Sequence, residues 1–247
     1  MDCVDCGIPR GVGRANAWKP CGIIVSRYEP DLRGILYEVG ELDNLFASLS
    51  GRIGYDVTRL VMEGKRKDAR HYVRGLLGHL RERGVEMPPP EEFLRAMAAN
   101  FSVPGFGKAA ISDYREGESI TLEVEGVYNL PMALGQAAGV YEAVLGRRAE
   151  VSWEGGAERG RIRLTAAEPE PELEERIESG VEAAAPIVDE GEREYRLCPR
   201  CSAPLELSQG FEWDGERALI LERSTGRRHV FDNVRGVAAV MRALVEA

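Results

Sequence analysis

Two C-x-x-C pairs, Cys3-Val-Asp-Cys6 near the start and Cys198-Pro-Arg-Cys201 near the end, carry the types and spacing best suited to chemistry. This spacing lets two thiolates grip one metal ion from a tight turn, and a closed tetrahedral zinc site needs four such ligands. Each pair supplies two, and no histidine stands at ligand spacing; His229 lies too far from Cys201 to complete a finger. The simplest closed site takes Cys3, Cys6, Cys198 and Cys201 together and ties both chain ends into one zinc ribbon. The metal's binding energy would then be folding energy for segments too short to bury a core of their own. Two other readings stay open. Each pair could be a redox couple, although the βαβ context of such couples is absent, or each could find its complement in a second subunit.

The cysteines belong to a longer internal repeat. Pro9 and Trp18 recur as Pro204 and Trp213 at the same offset of 195 residues. The apolar pairs Ile24/Leu219, Val25/Ile220, Ile35/Val230, Leu36/Phe231 and Leu45/Val240 keep that register. Each copy reads as a cysteine knuckle, a short hairpin and a helix. The hairpin strands are expected at residues 22–25 and 34–37, then 218–221 and 229–231.

The totals bound the function. A net charge of −9 argues against general nucleic-acid or anionic-membrane binding. A hydrophobic content of 44% with 30% charged residues fits a soluble globular protein with a real core. Four of five cysteines in C-x-x-C pairs suit a reducing compartment, and the start lacks a basic, apolar signal sequence, so a cytoplasmic location is expected.

Between the repeats the apolar period becomes helical. Leu42, Leu45, Phe46 and Leu49 stripe a first helix, and a longer one carries Val57, Val61, Gly64, His71, Tyr72, Leu76 and Leu80 on one face. Gly64, Gly75 and Gly78 suggest close approach of a neighbour. Its basic residues Arg59, Lys65, Arg66, Lys67, Arg70, Arg74, Arg81 and Arg83 read as a solvated face, or as a surface for an anionic ligand group or an acidic protein partner. Three prolines, Pro88 to Pro90, close this helix and open a short one to Asn100. Strands are expected over 107–114 and 119–124, a helix over 131–145 and a hairpin over 149–153 and 161–165. Gly135 and Gly139 suggest tight packing of that helix on the sheet. Residues 167–194 are a Glu- and Pro-rich acidic linker.

The helix ending in Leu145-Gly-Arg, followed by a strand, a Gly-rich turn and a final strand, resembles the end of a vinyl-4-reductase-type ligand-binding domain. The likeness spans residues 38–166 and implies a TRAPP-like α+β fold, a helical layer packed on an antiparallel sheet. It further implies an apolar small molecule held between helices and sheet, commonly in a homodimer. Family members often carry cysteines on the last two strands; here Ser152, Trp153, Ile162 and Leu164 stand there.

The resulting organisation is a knuckle and hairpin over 1–37, a ligand-binding domain over 38–166, the linker, and a second knuckle, hairpin and helix over 195–247. The last region and the first together make a small zinc-ribbon-like β element. Pocket candidates are His71, Tyr72, Leu76, Met97, Phe101, Phe106, Met132 and Tyr141. No P-loop, G-x-S-x-G or H-E-x-x-H element offers a catalytic set. A non-enzymatic zinc-binding sensor is therefore the leading reading. A zinc-ribbon interaction module and a tetrapyrrole-related reductase are the alternatives.

Overall fold

The computed structural model describes residues 2–29, 32–168 and 191–245. In it the repeat becomes one symmetric sheet. The first copy supplies β1 (Asn16–Trp18), β2 (Ile24–Ser26) and β3 (Arg33–Glu38), and the second β8 (Phe211–Asp214), β9 (Leu219–Glu222) and β10 (Arg228–Asn233). These run antiparallel in the order β1-β2-β3-β10-β9-β8. Leu36 on β3 faces Phe231 on β10, its own repeat counterpart, so a local two-fold axis passes through that pair. The helices obey the same symmetry: α1 (Arg10–Ala15) matches α6 (Leu205–Gly210), and α2 (Val39–Ile53) matches α7 (Val234–Val245). The boundary at residue 38 assigns α2 to the central region, whereas its symmetry mate α7 belongs to the second copy. Helix α1 takes up the last part of the glycine-rich run Gly7–Gly13, from Arg10 onward.

The central region inserts between the copies. It comprises α3 (Thr58–Glu82), α4 (Pro90–Asn100), β4 (Lys108–Arg115), β5 (Ser119–Glu125), α5 (Leu130–Leu145), β6 (Arg148–Gly155) and β7 (Arg159–Ala167). Its antiparallel sheet has the order β4-β5-β7-β6. Alternation along these strands turns Ile111, Ile120, Leu122, Val124, Ile162 and Leu164 inward. There they meet Ala133, Leu134, Ala138 and Tyr141 of α5. Asn129 caps α5 by accepting from the Met132 N–H at 3.0 Å, Pro131 sits in its first turn, and Gly146 ends it with φ +67°. The α+β class and the helix-on-sheet layer are as expected.

Two expectations change. Gly135 and Gly139 face α3 rather than the sheet: a Cβ on either would collide with the backbone carbonyl of Met62 or Arg66. Gly64 admits α7 in the same way, with the Val240 Cα 2.6 Å from where a Cβ would stand, while Gly75 and Gly78 face open space. The basic residues of α3 are also not all solvated. Lys65, Arg66 and Arg70 are buried, whereas Arg59, Arg74, Arg81 and Arg83 are exposed. Arg66 donates to Glu142 on α5 and, at 2.8 Å, to the Ala149 carbonyl leading into β6. Periodicity hides this because the buried partners stand far away in sequence. Most of the acidic linker, 169–190, lies outside the described residues. Among the described residues, no helix is long and apolar enough to cross a membrane.

Candidate functional site

The cysteine cluster is built by two equivalent turns. The Cys3 N–H donates to the Ile8 carbonyl at 2.9 Å and the Gly7 N–H to the Cys3 carbonyl at 2.7 Å. In the second copy, the Cys198 N–H donates to Ala203 and the Ser202 N–H to Cys198, both at 2.8 Å. The turn requires a left-handed residue, Gly7 at φ +75° and its counterpart Ser202 at φ +63°. For a residue with a Cβ that conformation costs about 1 kcal/mol.

The β3–β10 pairing brings the two knuckles face to face. Cys3 Sγ lies 3.7 Å from Cys198 Sγ, and Cys6 Sγ 3.5 Å from Cys201 Sγ. All four sulfurs fall within 4.8 Å of one another. A tetrahedron of sulfurs with zinc–sulfur bonds of about 2.3 Å has edges of about 3.8 Å. A disulfide would need about 2.05 Å, and all five cysteines are free. Each sulfur pair so measured joins one copy to the other, which suits an ion shared between the copies. Cys3, Cys198 and Cys201 are buried and Cys6 nearly so. Burial opposes ionisation at Cys3, yet the N–H groups of Asp5 and Cys6 and the neighbouring thiols bring it down to about 7. Burial pushes Cys6 and Cys201 up. Four thiolates in so small a volume need a cation to neutralise them. The cluster is close enough to hold one metal ion, and Cys21 takes no part in it.

A cavity of about 730 Å³ lies between α3, α4, α5, the central sheet and the symmetric sheet. Its wall is mostly aliphatic, including Val73, Leu94, Ile111, Leu122, Val140 and Ile162. Of the eight pocket candidates, Tyr72, Leu76, Met97, Phe101 and Phe106 line it. Met132 is instead packed against Val61, Phe106 and Tyr128, and Tyr141 against the sheet, its hydroxyl donating to the Glu118 carbonyl at 3.3 Å. His71 is on the exposed side of α3. The α3 residues that reach the cavity are Lys65, Asp68, Ala69, Tyr72, Val73 and Leu76, a run at helical spacing that passes His71 by one position.

A buried ion cluster forms one end of this cavity. Lys65 Nζ donates to Asp232 Oδ1 and Oδ2 at 3.0 and 2.8 Å and to Asp68 Oδ2 at 3.3 Å. Burial would lower the Lys65 ammonium, but Asp232 and Asp68 more than offset this and hold it above its ordinary value. The same ammonium lies 5.7 Å from the Phe106 ring centroid. Arg235 on α7 places its Nε 3.5 Å from Asp68 Oδ1 and pairs with Glu29 at 2.9 Å. Sequence reading counts Lys65 with the basic face of α3 and does not point to the cluster of Lys65, Asp68 and Asp232. Their only local signal is the Lys65/Asp68 spacing of three, which is equally common on solvated helices.

No family model and no curated protein matches the chain. Among solved structures, the Fe(II) unliganded H-NOX protein from K. algicida matches with 14% identity and a TM-score of 0.39, over 54% of this chain and 75% of that one. The phenol-responsive sensory domain of the transcription activator PoxR, solved with phenol, matches with 14% identity and a TM-score of 0.53. That match covers 68% of this chain and 92% of the sensory domain. At this identity the likeness to the PoxR domain is one of fold alone.

Proposed function

We propose that this protein is a non-enzymatic, cytoplasmic small-molecule sensor or binding protein, with zinc as a structural ion. In this reading residues 38–166 are a ligand-binding unit of vinyl-4-reductase type, and the repeats form a clamp around it. The observation that carries the proposal is the cavity of about 730 Å³ with its aliphatic wall, a size and character suited to a drug-sized ligand. The PoxR sensory domain, which shares the fold, is phenol-responsive. Zinc is favoured because four thiolates at near-tetrahedral spacing form a closed site of the structural kind.

Elemental analysis of protein purified without added metal should find one equivalent of zinc per chain. A thermal-shift screen of apolar ligands should raise the melting temperature with at least one scaffold, because a ligand that binds only the folded state stabilises it. A metal-free protein with unchanged stability would remove the zinc. Uniformly flat shifts across aromatic, alicyclic and long-chain ligands would remove the sensor reading.

A further inference from the structure

The cysteine cluster and the cavity share a wall. Val103 and Phe231 line the cavity and also pack against the cysteines. Helix α1 does the same with two faces. Arg10 and Gly11 line the cavity, while Val12 is buried among Cys3, Cys198 and Cys201, and a Cβ on Gly13 would collide with the Cys201 carbonyl. Its symmetry mate α6 contributes no lining residue. The two copies are also fastened differently. The second is tied straight to the central region: α7 crosses α3 at Gly64, and Arg228 Nη2 donates to the Gly105 and Gly126 carbonyls at 2.9 and 2.7 Å. The Phe231 N–H adds a bond to the Pro104 carbonyl at 2.9 Å. In the first copy α1, β1 and β2 pack chiefly within their own copy and meet the central region across the cavity. They are held down by the β3–β10 ladder and by the cysteine cluster. The ion pairs Asp5–Arg200 and Glu29–Arg235, both at 2.9 Å, each have an exposed member and add little.

We propose that the cysteine cluster is a metal-dependent gate on the cavity: an ion there seats α1 against the second knuckle and completes the wall, so that metal and ligand each tighten the binding of the other. This rests on the zinc and small-molecule readings above and links them. Four thiols without a cation have no bond that draws the knuckles together, whereas four metal–sulfur bonds fix both knuckles at once. Pro9 and Arg10 follow the first knuckle directly in the chain, so its displacement moves the wall they line. Coupling of this kind is reciprocal, each ligand changing the other's affinity by one and the same factor.

The test uses the full chain and the apolar fluorophore N-phenyl-1-naphthylamine. Zinc-loaded protein should bind it at least about fivefold tighter than zinc-stripped protein that circular dichroism shows to be folded. Zinc affinity, read by competition with a chromogenic chelator, should rise by the same factor when the fluorophore is saturating. Phe231→Leu thins the shared wall, and where it still takes up zinc and fluorophore the factor should fall toward one. Val103→Ala tests the same wall if Phe231→Leu does not fold. These variants and the competition arm stay decisive if the stripped chain unfolds, because coupling through global unfolding alone would persist in them. Equal fluorophore affinity in loaded and folded stripped protein would overturn the gate and leave the zinc and the cavity standing. So would a factor undiminished in both variants. A chain that binds no zinc would overturn the gate and the zinc reading together. Loaded protein that binds no fluorophore would overturn the gate and the cavity reading.

Discussion

The cysteine cluster and the ion cluster both join the two ends of this chain to something, but they use the repeat in opposite ways. At the cysteines the copies contribute alike: Cys3 meets Cys198 and Cys6 meets Cys201 across the local two-fold. At the cavity the copies have diverged. Asp232 is the counterpart of Tyr37, Arg235 of Gly40 and Gly236 of Glu41. Only the second copy therefore offers α3 a carboxylate, a guanidinium and a backbone bare enough for Asp68 Oδ2 to stand 2.6 Å from where a Cβ would be. The lesson is that symmetry builds the clamp and its breaking builds the site. A clamp needs two equal jaws, whereas a cavity with a polar end needs a different residue on each side.

This contrast can be broken from either side, and the largest effect is expected at the symmetric end. If the cluster holds the proposed zinc, Cys198→Ser should abolish metal binding and cost on the order of 5 kcal/mol or more, since structural-zinc energy is folding energy. Cys21→Ser, outside the cluster, should stay within about 0.5 kcal/mol of the parent; metal content and urea denaturation would read both. A variant of Cys198 that keeps full stability would show that the jaws close without an ion.

At the asymmetric end, Asp232→Ala leaves the Lys65 ammonium buried beside Asp68 alone. A loss of about 3–5 kcal/mol is expected, with part of it recovered in Lys65→Met/Asp232→Leu, where Asp68 keeps only its ion pair with Arg235. A double variant no better than the single one would contradict the pairing. Smaller again is Ser202→Gly, which gives the second knuckle the residue that the first already has. Relief of the left-handed strain should yield at most about 1 kcal/mol, with Gly7→Ser losing a comparable amount.

The smallest effect is a pH dependence at His71. Burial first, then Arg235 and Arg74, lower its pKa, while Glu29 and Asp68 oppose them. The folded protein then binds fewer protons than the unfolded chain just below about pH 6.5, so stability falls with decreasing pH there. His71→Gln should flatten that part of the melting-temperature profile and leave the cavity's ligand affinity unchanged. A profile identical to the parent would show that neither partial burial nor Arg235 shifts this histidine's titration on folding.

Much of the frame is legible in the sequence because it is written in local patterns. The strands alternate, α5 has its cap at Asn129 and its stop at Gly146, and α4 starts at the last of the three prolines, although α3 has already ended at Glu82, before the first of them. The grouping of the four cysteines was legible because C-x-x-C already brings two thiols to one turn, and the offset of 195 pairs the turns. The cavity was only partly legible. Phe101 and Phe106 announce themselves as apolar, but Met132 and Tyr141 are apolar too and fill the core instead.

By itself the sequence determined the periods, the caps and the matching knuckles, since each of these follows from covalent geometry and the chemistry of near neighbours. Only the tertiary structure decided that Lys65 is buried and that Asp68 stands between it and Arg235. A charge can leave water only where its partner waits. Asp232 stands beside Lys65 because β10 pairs with β3 and α7 crosses α3 at Gly64, a meeting that no local stretch of the chain encodes.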